Sequence, residues 1–321
     1  MKMDRILKLL LLWIFGVSTT VGQKDEMLYE SPLYVINVSG ITKVAIHRSR
    51  VFVLVPSQEV PLLEMSWLPH VQHVAKLRKT PVNASVRRCQ GLVRPVDLQT
   101  DPYGRLWLLD AGDAKCAPKL VVYDILYHRL VENARHSFDL GLQVEHLTID
   151  PGATRGVTLA YVAGGDKILV YSYYQDRHWN VKTVLNETIT GIALNPGDAE
   201  HRTTLLVLVN HLTVYQIFTS RLLEGSAGVI EAGELMGPSL AGLTSDGRGG
   251  VFYMLSRDFV AVRWNSRLPL QAENQEILLQ SDRVLFNVTS FVTDSNRNIW
   301  GVVNNGTDQM TWCAKLTFTS Y

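Results

Sequence analysis

The stretch Cys89–Leu120, CQGLVRPVDLQTDPYGRLWLLDAGDAKCAPKL, decides the fold. An apolar–polar strand over Val93–Gln99 runs into a polar turn at Asp101–Gly104. A second apolar run, Arg105–Leu109, stops at Asp110-Ala111-Gly112. Alternating apolar residues, a glycine-bearing turn and a second apolar run predict an antiparallel pair of strands. Cys89 and Cys116 bracket this unit and are expected to form a disulfide, whose loop closure is worth about 3.5 kcal/mol on the chain-entropy model.

Working outward, the same unit recurs six times. Its marker residues are His47, Asp101, Asp150, Asn195, Asp246 and Asp294, at intervals of 54, 49, 45, 51 and 48 residues. That period is the blade length of β-propellers. The clearest pair is QTDPYGRLWLLD and VTDSNRNIWGVV, each with a Trp six residues after the Asp (Trp107 and Trp300). Further strands fit between the markers, among them Leu120–Tyr123, Ile168–Tyr173 and Leu212–Ile217. No stretch carries a helical apolar stripe. The expected fold is all-β, a six-bladed β-propeller; a β-sandwich would not give a fixed period. The last blade has three strands, Thr289–Val292, Asn298–Val303 and Thr311–Phe318, and Met27–Val38 is expected to supply the fourth and close the ring.

The quoted stretch also carries a resemblance. D-x-x-G-R-L-W-L-L-D-x-G followed by C-x-P-K-L-V-V-Y-D (Cys116–Asp124) resembles the yellow / major royal jelly protein family of insects. Val44–Pro56, Leu159–Val181, Thr190–Pro196, Val262–Asn265 and Phe291–Asn304 resemble further family segments in the same order, covering residues from about 44 to 305. Where the family commonly has cysteines this chain has Tyr103 and Arg263, which leaves Cys313 as a buried thiol or an intermolecular link.

The N-terminus reads as a secretory signal peptide over residues 1–22, with Lys2, Arg5 and Lys8 ahead of the apolar core Leu9–Val17 and a small-residue site at Thr20-Val21-Gly22. The alternative, a retained anchor, is opposed by the shortness of that core against the ~20 residues a span needs. A single propeller domain is expected over 23–321. Without residues 1–22, 28 Lys and Arg stand against 29 Asp and Glu, so neither a nucleic acid nor a membrane is implied as a partner. Sequons at Asn37, Asn83, Asn186, Asn287 and Asn305 are candidate glycan sites on a secreted chain.

In a propeller the innermost strands line the central channel. Four residues before each marker stand Lys43, Asp97, His146, Gly191, Gly242 and Ser290; beside them lie Thr42, Val96, Glu145, Thr190, Ala241 and Thr289. Asp97 and Glu145 would supply negative charge and the two glycines would leave space, a pocket for a small cationic or polar ligand. The alternative is that these residues are channel plugs joined by hydrogen bonds. Some salivary members of the resembled family bind biogenic amines in the channel; their last-blade contacts match Thr289 and Asn304 here, although Ser290 replaces a common Asp and the run after Asn304 differs. His146 beside Glu145 is the one candidate general base. The ring offers too few oxygens for the six to eight ligands of a calcium ion, and no nucleophile elbow or H-E-x-x-H is present. No metal and no other cofactor is implied.

The resemblance therefore implies an extracellular protein of cuticle or eggshell pigmentation or hardening, with a small catechol or biogenic amine, or the extracellular matrix, as partner. The competing readings are an enzyme of melanin synthesis acting on dopachrome and, further off, a metal-dependent propeller hydrolase.

Overall fold

The computed structural model of the protein describes residues 33–316, apart from 37, 39, 57–60, 68–77, 80–88, 128, 153, 183–184, 198–202, 226–227 and 306–309. The leader segment 1–22, Asn37 and Asn83 lie outside the described residues.

Six four-stranded antiparallel sheets form the six blades. Blade 1 is β2 (Lys43–His47), β3 (Arg50–Leu54), β4 (Leu62–Ser66) and β5 (Arg78–Lys79). Blade 2 is β6 (Pro95–Thr100), β7 (Arg105–Asp110), β8 (Lys119–Asp124) and β9 (Arg129–Ser137). Blade 3 is β10 (His146–Asp150), β11 (Leu159–Gly164), β12 (Lys167–Ser172) and β13 (Arg177–Val181). Blade 4 is β14 (Ile189–Asn195), β15 (Thr204–Val209), β16 (Thr213–Phe218) and β17 (Val229–Glu234). Blade 5 is β18 (Thr244–Ser245), β19 (Gly250–Leu255), β20 (Val260–Asn265) and β21 (Gln275–Gln280). Blade 6 is β22 (Val288–Thr293), β23 (Ile299–Asn305), β24 (Met310–Leu316) and, from the other end of the chain, β1 (Leu33–Ile36). Among the described residues, a short helix, α1 (Thr219–Leu223), and two single 3-10 turns interrupt the strands.

The deciding stretch folds as read. β6 and β7 pair with Asp97 opposite Leu109 and Gln99 opposite Trp107. The ring closes as expected too: β1 falls inside the predicted 27–38 segment and pairs with β24 from Leu33↔Ala314 to Ile36↔Thr311. The innermost strands pack in turn, β2 on β6, β6 on β10, β10 on β14, β14 on β18 and β18 on β22, and β22 returns to β2. Closure leaves the ring without a free end.

The core is divided among the six seams. Each apolar cluster joins two neighbouring blades: Trp107 and Leu109 meet Ala160 and Tyr171 across seam 2–3, and Val53, Trp67, Trp300 and Cys313 meet across seam 6–1. Side chains alternate along every strand, so both faces of a blade are covered and its middle strands are buried throughout, as in β7, β8, β15 and β19. Trp107, Trp264 and Trp300 are fully buried seam residues.

The four aspartates among the six repeat markers share one physical job. Asp101 Oδ1 accepts the backbone N–H groups of Tyr103 and Arg105, while Oδ2 accepts Trp107 Nε1 at 2.8 Å and Arg105 Nε at 2.6 Å. Asp294 repeats the pattern with Asn296, Asn298 and Trp300 Nε1. Asp246 keeps its backbone half, with Arg248 and Gly250, and Asp150 caps Gly152. These are turn-forming carboxylates. The Cys89–Cys116 disulfide, with Cα atoms 5.3 Å apart, ties the loop entering β6 to the β7–β8 loop. Cys313 is a buried free thiol.

Candidate functional site

Four antiparallel strands return the chain to the face where each blade began, so all six inner strands run the same way. Residues four before each marker consequently stand at one level near one mouth of the channel. A cavity of about 460 Å³ occupies the axis, and Lys43, Asp97, His146, Gly191, Gly242 and Ser290 all line it.

Asp97 is almost wholly buried. Its Oδ1 accepts the N–H of Leu98 at 2.9 Å and its Oδ2 accepts the N–H of Leu147, on the next blade, at 2.8 Å. Lys43 Nζ stands 3.7 Å from Oδ1. Burial pushes the Asp97 carboxyl above its ordinary range, and Lys43 and the two N–H groups pull it back. Its charge is thus already answered within the protein: Asp97 clips blade 2 to blade 3.

His146 also lines the cavity. Burial, then the charges of Lys43 and His211, lower its pKa from 6.5 to about 3. It is a neutral imidazole at physiological pH, and Nε2 lies 4.0 Å from Glu145 Oε2. A base whose conjugate acid titrates near 3 accepts a proton poorly at neutral pH. Glu145 does not line the cavity; two-fifths of its side chain is exposed, and it accepts Gln143 Nε2 at 2.6 Å.

Thr289 lines the cavity, with its hydroxyl donating to the Val302 carbonyl at 3.3 Å. Asn304 stands outside the lining, where Nδ2 donates to the Ile41 carbonyl at 2.7 Å and Oδ1 accepts the Thr311 hydroxyl at 2.7 Å. It fastens blade 6 to the chain entering blade 1. The structure therefore gathers Asp97, His146 and Thr289 in the channel and keeps Glu145 and Asn304 out of its lining. The two glycines differ: a Cβ on Gly242 would meet only the Thr190 carbonyl, at 3.9 Å, whereas Gly191 packs tightly against blade 5. A Cβ on Gly191 would sit 3.2 Å from Gly242 Cα, so these residues let blades 4 and 5 touch.

A family profile described as "Major royal jelly protein" matches residues 93–191, from the strand carrying Asp97 to Gly191. "Major royal jelly protein 7" of Apis mellifera is 22% identical over 231 residues, 61% of this chain and 52% of the relative. These matches support the resemblance to the yellow / major royal jelly protein family. "Major royal jelly protein 6" of Apis mellifera is 21% identical over 261 residues, 69% of this chain and 58% of the relative. The chain spans about half the length of these curated relatives. Among solved structures, a chain of a nidogen/laminin complex superposes with a TM-score of 0.49 at 13% identity, covering 76% of this chain and 80% of that one.

No sequence motif flags His211, which the fold brings beside the channel. Asn210 and His211 both have positive φ, 49° and 64°, in the β15–β16 turn. Two such residues make the tight hairpin turn whose twist suits the strands. The turn brings the His211 N–H to the Thr190 hydroxyl at 2.8 Å and the ring near enough to His146 to depress it. Asn followed by a polar residue signals a turn, but nothing local signals the channel. Among the described residues no three of His, Cys, Asp and Glu group as metal ligands.

Of the described sequons, Asn186 precedes β14, Asn287 precedes β22 and Asn305 ends β23, all on the face where the inner strands begin. Asn186 and Asn287 are exposed, and Asn287 Nδ2 donates to the Asn304 carbonyl at 3.1 Å.

Proposed function

We propose that this protein is a secreted, N-glycosylated propeller that holds a small catechol- or amine-like molecule in its central channel, in the pigmentation or hardening of an extracellular covering such as cuticle or eggshell. The observation that carries the reading is the axial cavity, whose volume suits a single aromatic ring with a short chain and whose mouth is lined by Lys43, Asp97, His146 and Ser290. The partial family match and the Cys89–Cys116 disulfide, a bond of oxidising compartments, support the extracellular setting. The weak basicity of His146 favours binding over catalysis.

The test is calorimetric titration of the purified protein with DOPA, dopamine, serotonin and octopamine, beside an assay of dopachrome decay. Saturable binding of at least one compound without faster decay is expected. Heats of dilution alone for all four would overturn the channel reading, and accelerated dopachrome decay would replace it with an enzyme of melanin synthesis.

A further inference from the structure

Which end of an aromatic ligand the channel holds follows from which polar groups at the mouth are already engaged. Asp97 accepts two backbone N–H groups and faces Lys43. The Thr289 hydroxyl donates to Val302. The Thr190 hydroxyl donates to Leu208 at 3.4 Å and accepts His211 N–H. Glu145, the other carboxylate nearby, lies outside the lining and accepts Gln143.

The His146 imidazole is neutral and bonds the Ile189 backbone, and two donors at this level lack a short acceptor. Ser290 Oγ is buried, with the residue only 4% exposed, lines the cavity, and has no hydrogen-bond partner. Lys43 Nζ meets its carboxylate at 3.7 Å, beyond hydrogen-bond length, and its side chain is 28% exposed toward the cavity. Lys43 and Ser290 stand on β2 and β22, which pack against each other where the ring closes. The Ser290 hydroxyl has almost no accessible surface as it stands, and a turn about χ1 would be needed to bring it to an oxygen shared with Lys43. A buried hydroxyl without a partner is costly, so a ligand oxygen that accepts from it gains affinity. An ammonium entering at this level would instead face the Lys43 ammonium, with no unengaged carboxylate to receive it.

We infer that the channel mouth recognises the carboxylate of a small aromatic acid, held between Lys43 Nζ and Ser290 Oγ, rather than the ammonium of an amine. This rests on the channel reading above and selects one ligand class within it. A charge-assisted hydrogen bond from Lys43, with a second from Ser290, supplies the discrimination.

The test uses two ligands that share a ring and a two-carbon chain: 3-(3,4-dihydroxyphenyl)propanoate and dopamine. By calorimetry at pH 7 and low salt the propanoate is expected to bind at least tenfold more tightly. Lys43→Met should abolish that preference and Ser290→Ala should weaken the propanoate several-fold. Because Lys43→Met leaves Asp97 without its cation, the charge-balanced Lys43→Met/Asp97→Asn variant is measured in parallel, and the wild-type comparison needs no variant. Dopamine binding as tightly as the propanoate, or a preference that survives loss of Lys43, would overturn the inference and leave the channel reading standing. Binding of neither ligand would overturn both.

Discussion

The indole of Trp107 donates to Asp101 Oδ2 at 2.8 Å, six residues upstream and across a tight turn. Trp300 and Asp294 repeat the bond at 3.0 Å on blade 6. The same carboxylate folds the turn through backbone N–H groups and fixes the orientation of a seam tryptophan. On blade 2 it also pairs with the Arg105 guanidinium, fully buried as it is itself. Arg105 in turn lies over the rings of Trp107 and Tyr173. Asp101→Ala would therefore strand a buried cation as well as an indole N–H. A loss of about 3–5 kcal/mol is expected, against about 1–3 kcal/mol for Asp246→Ala, which forfeits turn bonds alone. Urea unfolding midpoints compare the two, and equal small losses would mean that the turn carboxylates are interchangeable.

The crosslink and the free thiol give a second expectation. Cys89→Ser/Cys116→Ser should cost about 2–4 kcal/mol, since the unfolded loop is no longer closed. Burial pushes the Cys313 thiol up to about 12, so alkylation under native conditions should leave it unmodified and label it only after unfolding. Peptide mapping without reduction reads both points. Free Cys89 and Cys116, or rapid native labelling of Cys313, would contradict them.

Acid should loosen the ring. The folded pKa of His146 is lowered to about 3, and those of His47 and His178 are lowered as well, all chiefly by burial. The unfolded chain takes up these protons near pH 6.5 while the folded chain does not. Stability therefore falls as pH drops from about 6.5 toward 3 and is flat above. For His146 the loss between pH 7 and 4 is on the order of 2–3 kcal/mol. Melting His146→Gln beside the wild type across this range should show a shallower acid slope in the variant; parallel slopes would remove His146 as the cause.

Gly191→Ala is expected to destabilise by about 1–3 kcal/mol. The new methyl would stand 3.2 Å from Gly242 Cα and 3.4 Å from Leu243 N, both backbone atoms that cannot rotate away. Gly228→Ala, where an added Cβ meets nothing within 4 Å, is the control. Thermal unfolding of both decides whether blades 4 and 5 touch there.

Much of this architecture was legible in the sequence because blade signals are local. The Asp-to-Trp spacing and the strand–turn–strand units each depend on residues within a dozen positions, their recurrence every 45–54 residues gives the blade count, and the markers do stand at the same end of each inner strand. Ring closure was legible by counting strands, since the last repeat supplies three. The channel was less so. Asp97 meets Leu147, and Gly191 meets Gly242, across about 50 residues of chain. Whether such pairs touch depends on how closely neighbouring blades pack, which no strand period encodes. Glu145 shows the limit most plainly. It stands where Thr190 and Thr289 stand in their blades, and these line the cavity, yet Glu145 accepts Gln143 Nε2 and does not join the lining.

A ligand held in the axial cavity, as proposed, would touch several blades at once. Hydrogen exchange of the backbone amides, with and without saturating 3-(3,4-dihydroxyphenyl)propanoate, tests it most directly. The account predicts added protection in the peptides carrying Lys43, Asp97, His146 and Ser290, on four separate blades, with the outer strands β13, β17 and β21 unchanged. Protection confined to an outer strand or to one blade would contradict it.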